Sequence, residues 1–333
     1  MISRYRQPYT IIINDIAVAF WKCWKFYLRS LFFSLVTIGA FVLIAGMSIF
    51  LMGCSGLMYY PTKEIYFTPQ KFHLTKEDVY FQDEDGRRLH GWWIAATAAT
   101  TTTTATANDS SEGPVKNLSV EKSKGTIVHF HGNAENLTSH FMQLSWMPEQ
   151  GYNYFIFDYP GYGQSEGSPS PKDCVQAGVA AMKWVHANKD ARPLVIVGQS
   201  MGGIVALRTV EELRGEVPLK GFVAESTFPS FQKIARKKLS SSMVTWLFQP
   251  LAYVVLSDKW APQNIAEAVR VPVLVTHGQK DMVVEPEFGE MIYEQSNEPK
   301  AIWRIPEGHH TDIFWAHNRI YRQRFLDWLA SLP

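Results

Sequence analysis

Leu194-Val195-Ile196-Val197-Gly198-Gln199-Ser200-Met201-Gly202-Gly203 is the stretch that decides how this chain is read. Four aliphatic residues without polar alternation describe a strand buried on both faces. Met201 to Leu213 then continues as a helix. Small residues must flank a turn as tight as the one between them. Such a turn lifts the Ser200 hydroxyl above the sheet and sets it at a helix N-terminus, where the positive end of the dipole favours a developing anion. Gly-x-Ser-x-Gly alone arises often by chance. The strand before it, the helix after it and the additional Gly203 make this occurrence specific.

Outward from that turn the chain alternates strands and helices. Strands are expected at Ile65–Phe67, Val79–Phe81, Arg88–Ile94, Thr126–Phe130, Tyr152–Phe157, Leu194–Val197, Gly221–Ala224, Val273–Thr276 and Ala301–Ile305. Helices are expected at Leu137–Gln150, Lys172–Asn188, Met201–Leu213, Glu287–Glu294 and Ile320–Leu329. Apolar strands each followed by a helix predict a mostly parallel sheet covered on both faces. Asp85-Gly86 predicts a hairpin turn and hence an antiparallel edge. Ala95 to Gly113, rich in Ala and Thr, reads as a flexible surface insertion. Residues 228–260, rich in Met, Trp, Leu and Tyr, read as a small helical cap. Their apolar side chains either line a substrate pocket or form a satellite core.

A serine hydroxyl needs a base to take its proton, and the base needs an acid to fix its tautomer. His309 and His310 follow the last strand, and either can reach the site. His317 falls close to the final helix and reads as a surface residue. Asp281, after the strand Val273–Thr276, is the expected acid, because the order Ser, Asp, His suits a serine on a strand-to-helix turn. Glu225, at the end of its own strand, is the rival. The oxyanion formed during acyl transfer needs N–H donors. These are expected from Met201, after the nucleophile, and from Asn133 in the loop His131-Gly132-Asn133-Ala134-Glu135-Asn136, with Gly132 permitting an unusual backbone angle. His131 reads as a loop histidine.

Three segments together carry a family likeness: His131–Asn136, Asp158-Tyr159-Pro160-Gly161-Tyr162-Gly163-Gln164-Ser165-Glu166-Gly167, and Gly198–Gly203. They resemble the α/β-hydrolase domain serine hydrolases, in the branch with a single N-terminal anchor. The tail Gly308-His309-His310-Thr311-Asp312 is similar to that branch's Gly-x-His-Asn-Asp signature, with Thr311 in place of Asn, and it selects His310 as the base. The likeness spans roughly residues 60–331. It implies an α/β-hydrolase fold and hydrolysis of esters or thioesters through an acyl-enzyme, with no cofactor or metal. It leaves the substrate open, since one fold serves many chemistries. A peptidase on the same fold and a silent binding protein are the alternatives.

The chain has 333 residues, 46% of them apolar, and a net charge of +1, which gives no basic stripe for nucleic acid. Of three cysteines, Cys23, Cys54 and Cys174, only the last lies in the body, so no disulfide can close within it. Cys174 reads as a small buried or half-buried residue. Residues 1–30 read as a cytoplasmic or leader segment. Residues 31–58 carry no charge and read as a transmembrane anchor or a lipoprotein-type signal, with Cys54 in Leu51-Met52-Gly53-Cys54 as a lipidation candidate. The basic residues before the span predict a body, residues 60–333, tethered to a membrane on its extracytoplasmic side. An acyl-ester or lipid-like substrate agrees with that placement.

Overall fold

The computed structural model describes residues 7–51, 58–97, 123–190, 192–315 and 319–333. The chain divides into two units, Met1–Cys54 and Ser55–Pro333. The first contains one long helix, α1 (Gln7–Leu51). Its described side chains from Phe20 to Phe41 are exposed, aromatic and aliphatic ones included. The anchor expected over residues 31–58 is not supported. Among the described residues no helix is long and apolar enough to cross a membrane. Lys22, Lys25 and Arg29 place three positive charges along the described part of this helix. Cys54 lies outside the described residues, as do residues 98–113 of the expected insertion and His317.

The second unit is built on a sheet of eight strands: β1 (Glu77–Gln82), β2 (Arg88–Ile94), β3 (Gly125–Phe130), β4 (Tyr152–Phe157), β5 (Leu194–Gln199), β6 (Leu219–Glu225), β7 (Val273–Gly278) and β8 (Lys300–Ile305). Their order is β1-β2-β4-β3-β5-β6-β7-β8. β1 and β2 pair antiparallel, as do β2 and β4, and every later pairing is parallel. This is the α/β-hydrolase fold. The helices of this unit are α2 (Leu137–His140), α3 (Pro171–Asn188), α4 (Met201–Leu213), α5 (Phe231–Ser240), α6 (Leu251–Val255), α7 (Ile265–Ala268), α8 (Glu287–Gln295) and α9 (Ile320–Ser331).

Alternation along the buried strands divides the core in two. Leu194 and Ile196 of β5 face α3 and α4 and pack with Ala177, Ala181 and Val205. Val195 and Val197 face the other way and share a cluster with Leu137, Phe141, Phe325 and Leu329. An unbroken aliphatic run is what a strand with helices on both faces requires.

Two expectations fail for local reasons. Ile65–Phe67 is not a strand. Its neighbourhood bonds instead to the loop after β3: Tyr66 N–H donates to Thr138 Oγ1 (3.0 Å), and Asn136 Nδ2 donates to the carbonyls of Thr62 (3.1 Å) and Glu64 (2.7 Å). The helix expected at Leu137–Gln150 is one α-helical turn followed by 3-10 turns at Phe141–Leu144 and Pro148–Gln150. Pro148 has no N–H to continue an α-helix.

Between β6 and β7 lie α5, α6, α7 and short 3-10 turns. Most of the large apolar side chains considered for a pocket here face solvent; Met243 is 98% and Leu247 75% exposed. The buried satellite core is made by Phe228, Phe231 and Ala261 against Ile204, Val284 and Phe288.

Helices α3 and α4 meet across Gly178. A Cβ there would collide with Thr209 Oγ1 and lie 2.7 Å from Phe130 Cε1. Gly178→Ala is therefore expected to cost about 1–3 kcal/mol, seen as a lower urea midpoint. A midpoint equal to wild type would show that the two helices can separate freely at this crossing.

Candidate active site

The C-terminal ends of the parallel strands converge on Ser200. Its backbone has φ +52° and ψ −124°, a strained conformation for a residue with a side chain. The surroundings hold it there. Ser200 N–H donates to the Glu225 carbonyl (2.9 Å), and the Ser200 carbonyl accepts from Thr227 Oγ1 (2.5 Å) and Gly203 N–H (3.0 Å). The glycines are required by closeness. A Cβ on Gly198 would sit 2.6 Å from Gly203 Cα, and one on Gly202 would overlap the Phe130 carbonyl oxygen.

The structure brings the three expected residues together. Ser200 Oγ lies 3.0 Å from His310 Nε2, and His310 Nδ1 lies 2.7 Å from Asp281 Oδ2. A ring nitrogen beside a carboxylate carries the proton, which leaves Nε2 with its lone pair toward the serine hydroxyl. His309 is exposed, and its N–H donates to Asp312 Oδ2 (3.0 Å). His310, not its neighbour, faces Ser200.

Asp281 is buried beneath this pair. Its Oδ1 accepts the backbone N–H groups of Val283 (2.8 Å) and Val284 (2.9 Å). Its Oδ2 also has His277 Nε2 at 3.4 Å. Burial pushes the carboxyl upward, but hydrogen bonds from His277, His310 and Val284 outweigh it, and its pKa falls well below the usual range. Asp281 therefore stays ionised and orients His310.

Glu225, the rival acid, sits close by in a different state. Burial raises it to about 8, aided by the charges of Asp312 and Asp281 and opposed by the hydrogen bond from Gln143. Gln143 Nε2 donates to Glu225 Oε1 (2.9 Å) and to the Thr311 carbonyl (3.0 Å). Thr311 follows His310 directly and has φ +54°. A neutral carboxyl and an amide thus clamp the strained backbone beside His310. Gln143 lay inside an expected helix, and no motif marked it. Only the placement of Glu225 at a strand end pointed toward this clamp.

The loop after β3 approaches Ser200 from the other side. A Cβ on Gly132 would lie 3.5 Å from Ser200 Cβ and 3.3 Å from His140 Cε1, so the glycine serves close approach. The left-handed angles expected of Gly132 fall instead on Ala134 (φ +64°) and Glu135 (φ +55°). Asn133 is pinned through its side chain: Oδ1 accepts from Tyr60 N–H (3.1 Å), Ala134 N–H (2.8 Å) and Tyr162 Oη (2.8 Å), and Nδ2 donates to the Met58 carbonyl (2.5 Å). Met201 opens α4, where helix geometry offers its N–H no carbonyl.

His131 packs face to face with His140, 5.1 Å between ring centres, with its Nε2 3.5 Å from Asp158 Oδ1. Burial, then the neighbouring His131, lowers His140 to about 4, so its ring is neutral at pH 7. A cavity of about 250 Å³ opens here, lined by His140, Met142, Gln143, Gln199, Thr311 and Trp315 among others. Cys174 is buried in α3, and burial raises its thiol pKa. Among the described residues no cluster of His, Cys, Asp and Glu has the arrangement to hold a metal.

The family described as "Serine aminopeptidase, S33" matches residues 121–261. The uncharacterised protein YfhR of Escherichia coli K12 is 33% identical over 278 residues, which cover 82% of this chain and 86% of YfhR. The chain belongs to the α/β-hydrolase family. Another α/β-hydrolase relative, from Danio rerio, is named lysophosphatidylserine lipase ABHD12. It is 27% identical over 268 residues, covering 77% of this chain and 67% of that protein. The Pyrococcus furiosus esterase Pf2001 superposes with a TM-score of 0.62 at 20% identity, over 83% of this chain and 98% of that one. At that identity the likeness shows the α/β-hydrolase fold alone.

Glu225 makes stability depend on pH. Its folded pKa, about 8, exceeds the unfolded value near 4.3, so between these values only the folded state keeps the proton, and stability falls as pH rises. Glu225→Gln removes this loss. The variant is expected to gain on wild type from about pH 5 to about pH 8, by on the order of a few kcal/mol. Parallel melting curves across that range would contradict the assignment.

Proposed function

We propose that this α/β-hydrolase cleaves carboxylic esters or thioesters through an acyl-enzyme on Ser200. The observation that carries the reading is the unbroken chain Ser200 Oγ, His310, Asp281, at 3.0 Å and 2.7 Å. In this reading His310 Nε2 takes the hydroxyl proton as Oγ attacks the acyl carbon. Asp281 holds the resulting imidazolium. The N–H groups of Met201 and Asn133 receive the oxyanion. His310 then gives its proton to the leaving alcohol or thiol. Water, deprotonated by the same ring, releases the acid and restores Ser200.

Two findings favour an ester over a peptide substrate. One is the lipase name of the Danio rerio relative. The other concerns charge: an aminopeptidase must meet the substrate's ammonium with a carboxylate, and the cavity next to Gln199 and Thr311, the neighbours in sequence of Ser200 and His310, is lined by polar and apolar side chains without one. Glu225 nearby is neutral at pH 7. A lipid-like acyl ester, met at a membrane surface, is the substrate class we favour.

Ser200→Ala is expected to lower turnover of p-nitrophenyl acyl esters about 10⁴-fold or more and to abolish labelling by a fluorophosphonate probe, with the fold retained. Full activity in this variant would refute the nucleophile. Faster cleavage of aminoacyl amides than of esters would move the reading to a peptidase. His310→Ala should match the serine variant, while His309→Ala should leave turnover close to wild type; equal losses would overturn the choice of base.

A further inference from the structure

The segment between Glu225 and Asp258 contains Lys233, Arg236, Lys237 and Lys238 and no acidic residue. It folds into α5 and α6 with a turn between them, and its ends are tied at the base. Ser230 Oγ donates to Asp258 Oδ2 (2.5 Å), and Gln232 N–H donates to Asp258 Oδ1 (3.1 Å). Beyond that base the side chains turn outward. Met243 is 98%, Val244 80%, Leu247 75% and Val254 80% exposed.

The segment is also tied to the loop that carries Asp281. Lys238 Nζ donates to the Met282 carbonyl (2.9 Å) and pairs with Glu285 (2.8 Å). Met282 adjoins Asp281 and is itself 88% exposed, with Val283 exposed beside it. Asp281 is held by the backbone of the loop whose tip carries these two apolar side chains. An apolar tip on the loop that carries Asp281 is thus tied through Lys238 to the apolar hairpin.

We infer that this surface, Met243–Val255 together with Met282 and Val283, docks onto a lipid layer carrying anionic headgroups, where an ester lipid can pass to Ser200. The inference rests on the ester-hydrolase reading and extends it to the way substrate is delivered. A lipid layer fits better than a protein partner because the exposed apolar side chains stand on short turns and one short helix. Flexible Met, Leu and Val side chains enter an acyl layer without a shaped counterpart. Trp246 and Tyr253, both exposed, have the amphipathic rings suited to its boundary. On α5, just before the apolar stretch, Lys237 and Lys238 pair with Glu287 and Glu285, while Lys233 and Arg236 are the cations suited to an anionic surface.

The test uses the full chain and compares one soluble ester, p-nitrophenyl butyrate, with a long-chain monoacylglycerol presented in phosphatidylcholine vesicles with or without phosphatidylglycerol. The triple variant Met243→Ser, Leu247→Ser, Val254→Ser is expected to lose about tenfold or more on the vesicle substrate while staying within about twofold on the soluble one. Lys233→Gln with Arg236→Gln should lower the rate only where phosphatidylglycerol is present. Equal rates for wild type and triple variant on vesicles would overturn the inference, whatever α1 contributes to attachment, because α1 is unchanged in both. A wild-type dimer that the triple variant converts to monomer, with both substrates affected alike, would assign the face to a second copy of the chain and also overturn it. Neither result touches the ester-hydrolase reading, which fails separately if soluble turnover survives Ser200→Ala.

Discussion

The backbone of Ser200 is the constraint on which the rest of the site depends. A residue with a Cβ is held at φ +52°, and strain of this kind persists only where the surroundings leave no alternative. Here the Glu225 carbonyl and the Thr227 hydroxyl grip the residue's two peptide groups. Gly198, Gly202 and Gly203 let strand, turn and neighbouring loop come into contact. The buried register of β5 between β3 and β6 delivers the serine to that point. Packing of a large two-sided core is thereby converted into the position of one hydroxyl.

Two carboxyl groups close to this hydroxyl are driven in opposite directions by their surroundings. Asp281 receives two backbone N–H groups and two histidine rings, and its charge is stabilised despite burial. Glu225 is driven up first by burial and then by two neighbouring acids, against the amide of Gln143, so its neutral form prevails at pH 7. Sorting of acids by environment is how one fold assigns different tasks to like groups. The ionised one holds His310, the proposed base, and the neutral one braces the chain that carries it.

How much of this was legible depended on whether a feature was local. The Ser200 turn, the strand limits and the edge hairpin follow from short patterns of Gly and aliphatic residues, and the structure places them within a residue or two of their expected limits. Asp281 was within reach because it follows a strand end, which by the same logic left His309 and His310 open, so that only the family resemblance chose His310. The Gln143–Glu225–Thr311 clamp joins residues up to 168 positions apart and leaves no spacing signal. Ile65–Phe67 reads as an independent strand because the partners of the segment around it are side chains of Asn133, Asn136 and Thr138, which periodicity cannot show. The hydrophobic hairpin was expected to turn at least partly inward on composition alone. Composition records how apolar a segment is, not which way its side chains face.

The stitching of Met58 and Tyr60 to Asn133 bears on how the catalytic body can be isolated. The side-chain amide of Asn133, whose N–H is the proposed oxyanion donor, is tied to backbone lying immediately after the junction between the two units. A shortened protein beginning at Tyr60 would discard the Met58 carbonyl and leave the first of these ties at a fraying terminus. The economical cut lies upstream of Met58. Removing the long helix while sparing those few residues keeps the loop's fastening intact, and an inactive fragment made by cutting later would say more about the cut than about the enzyme.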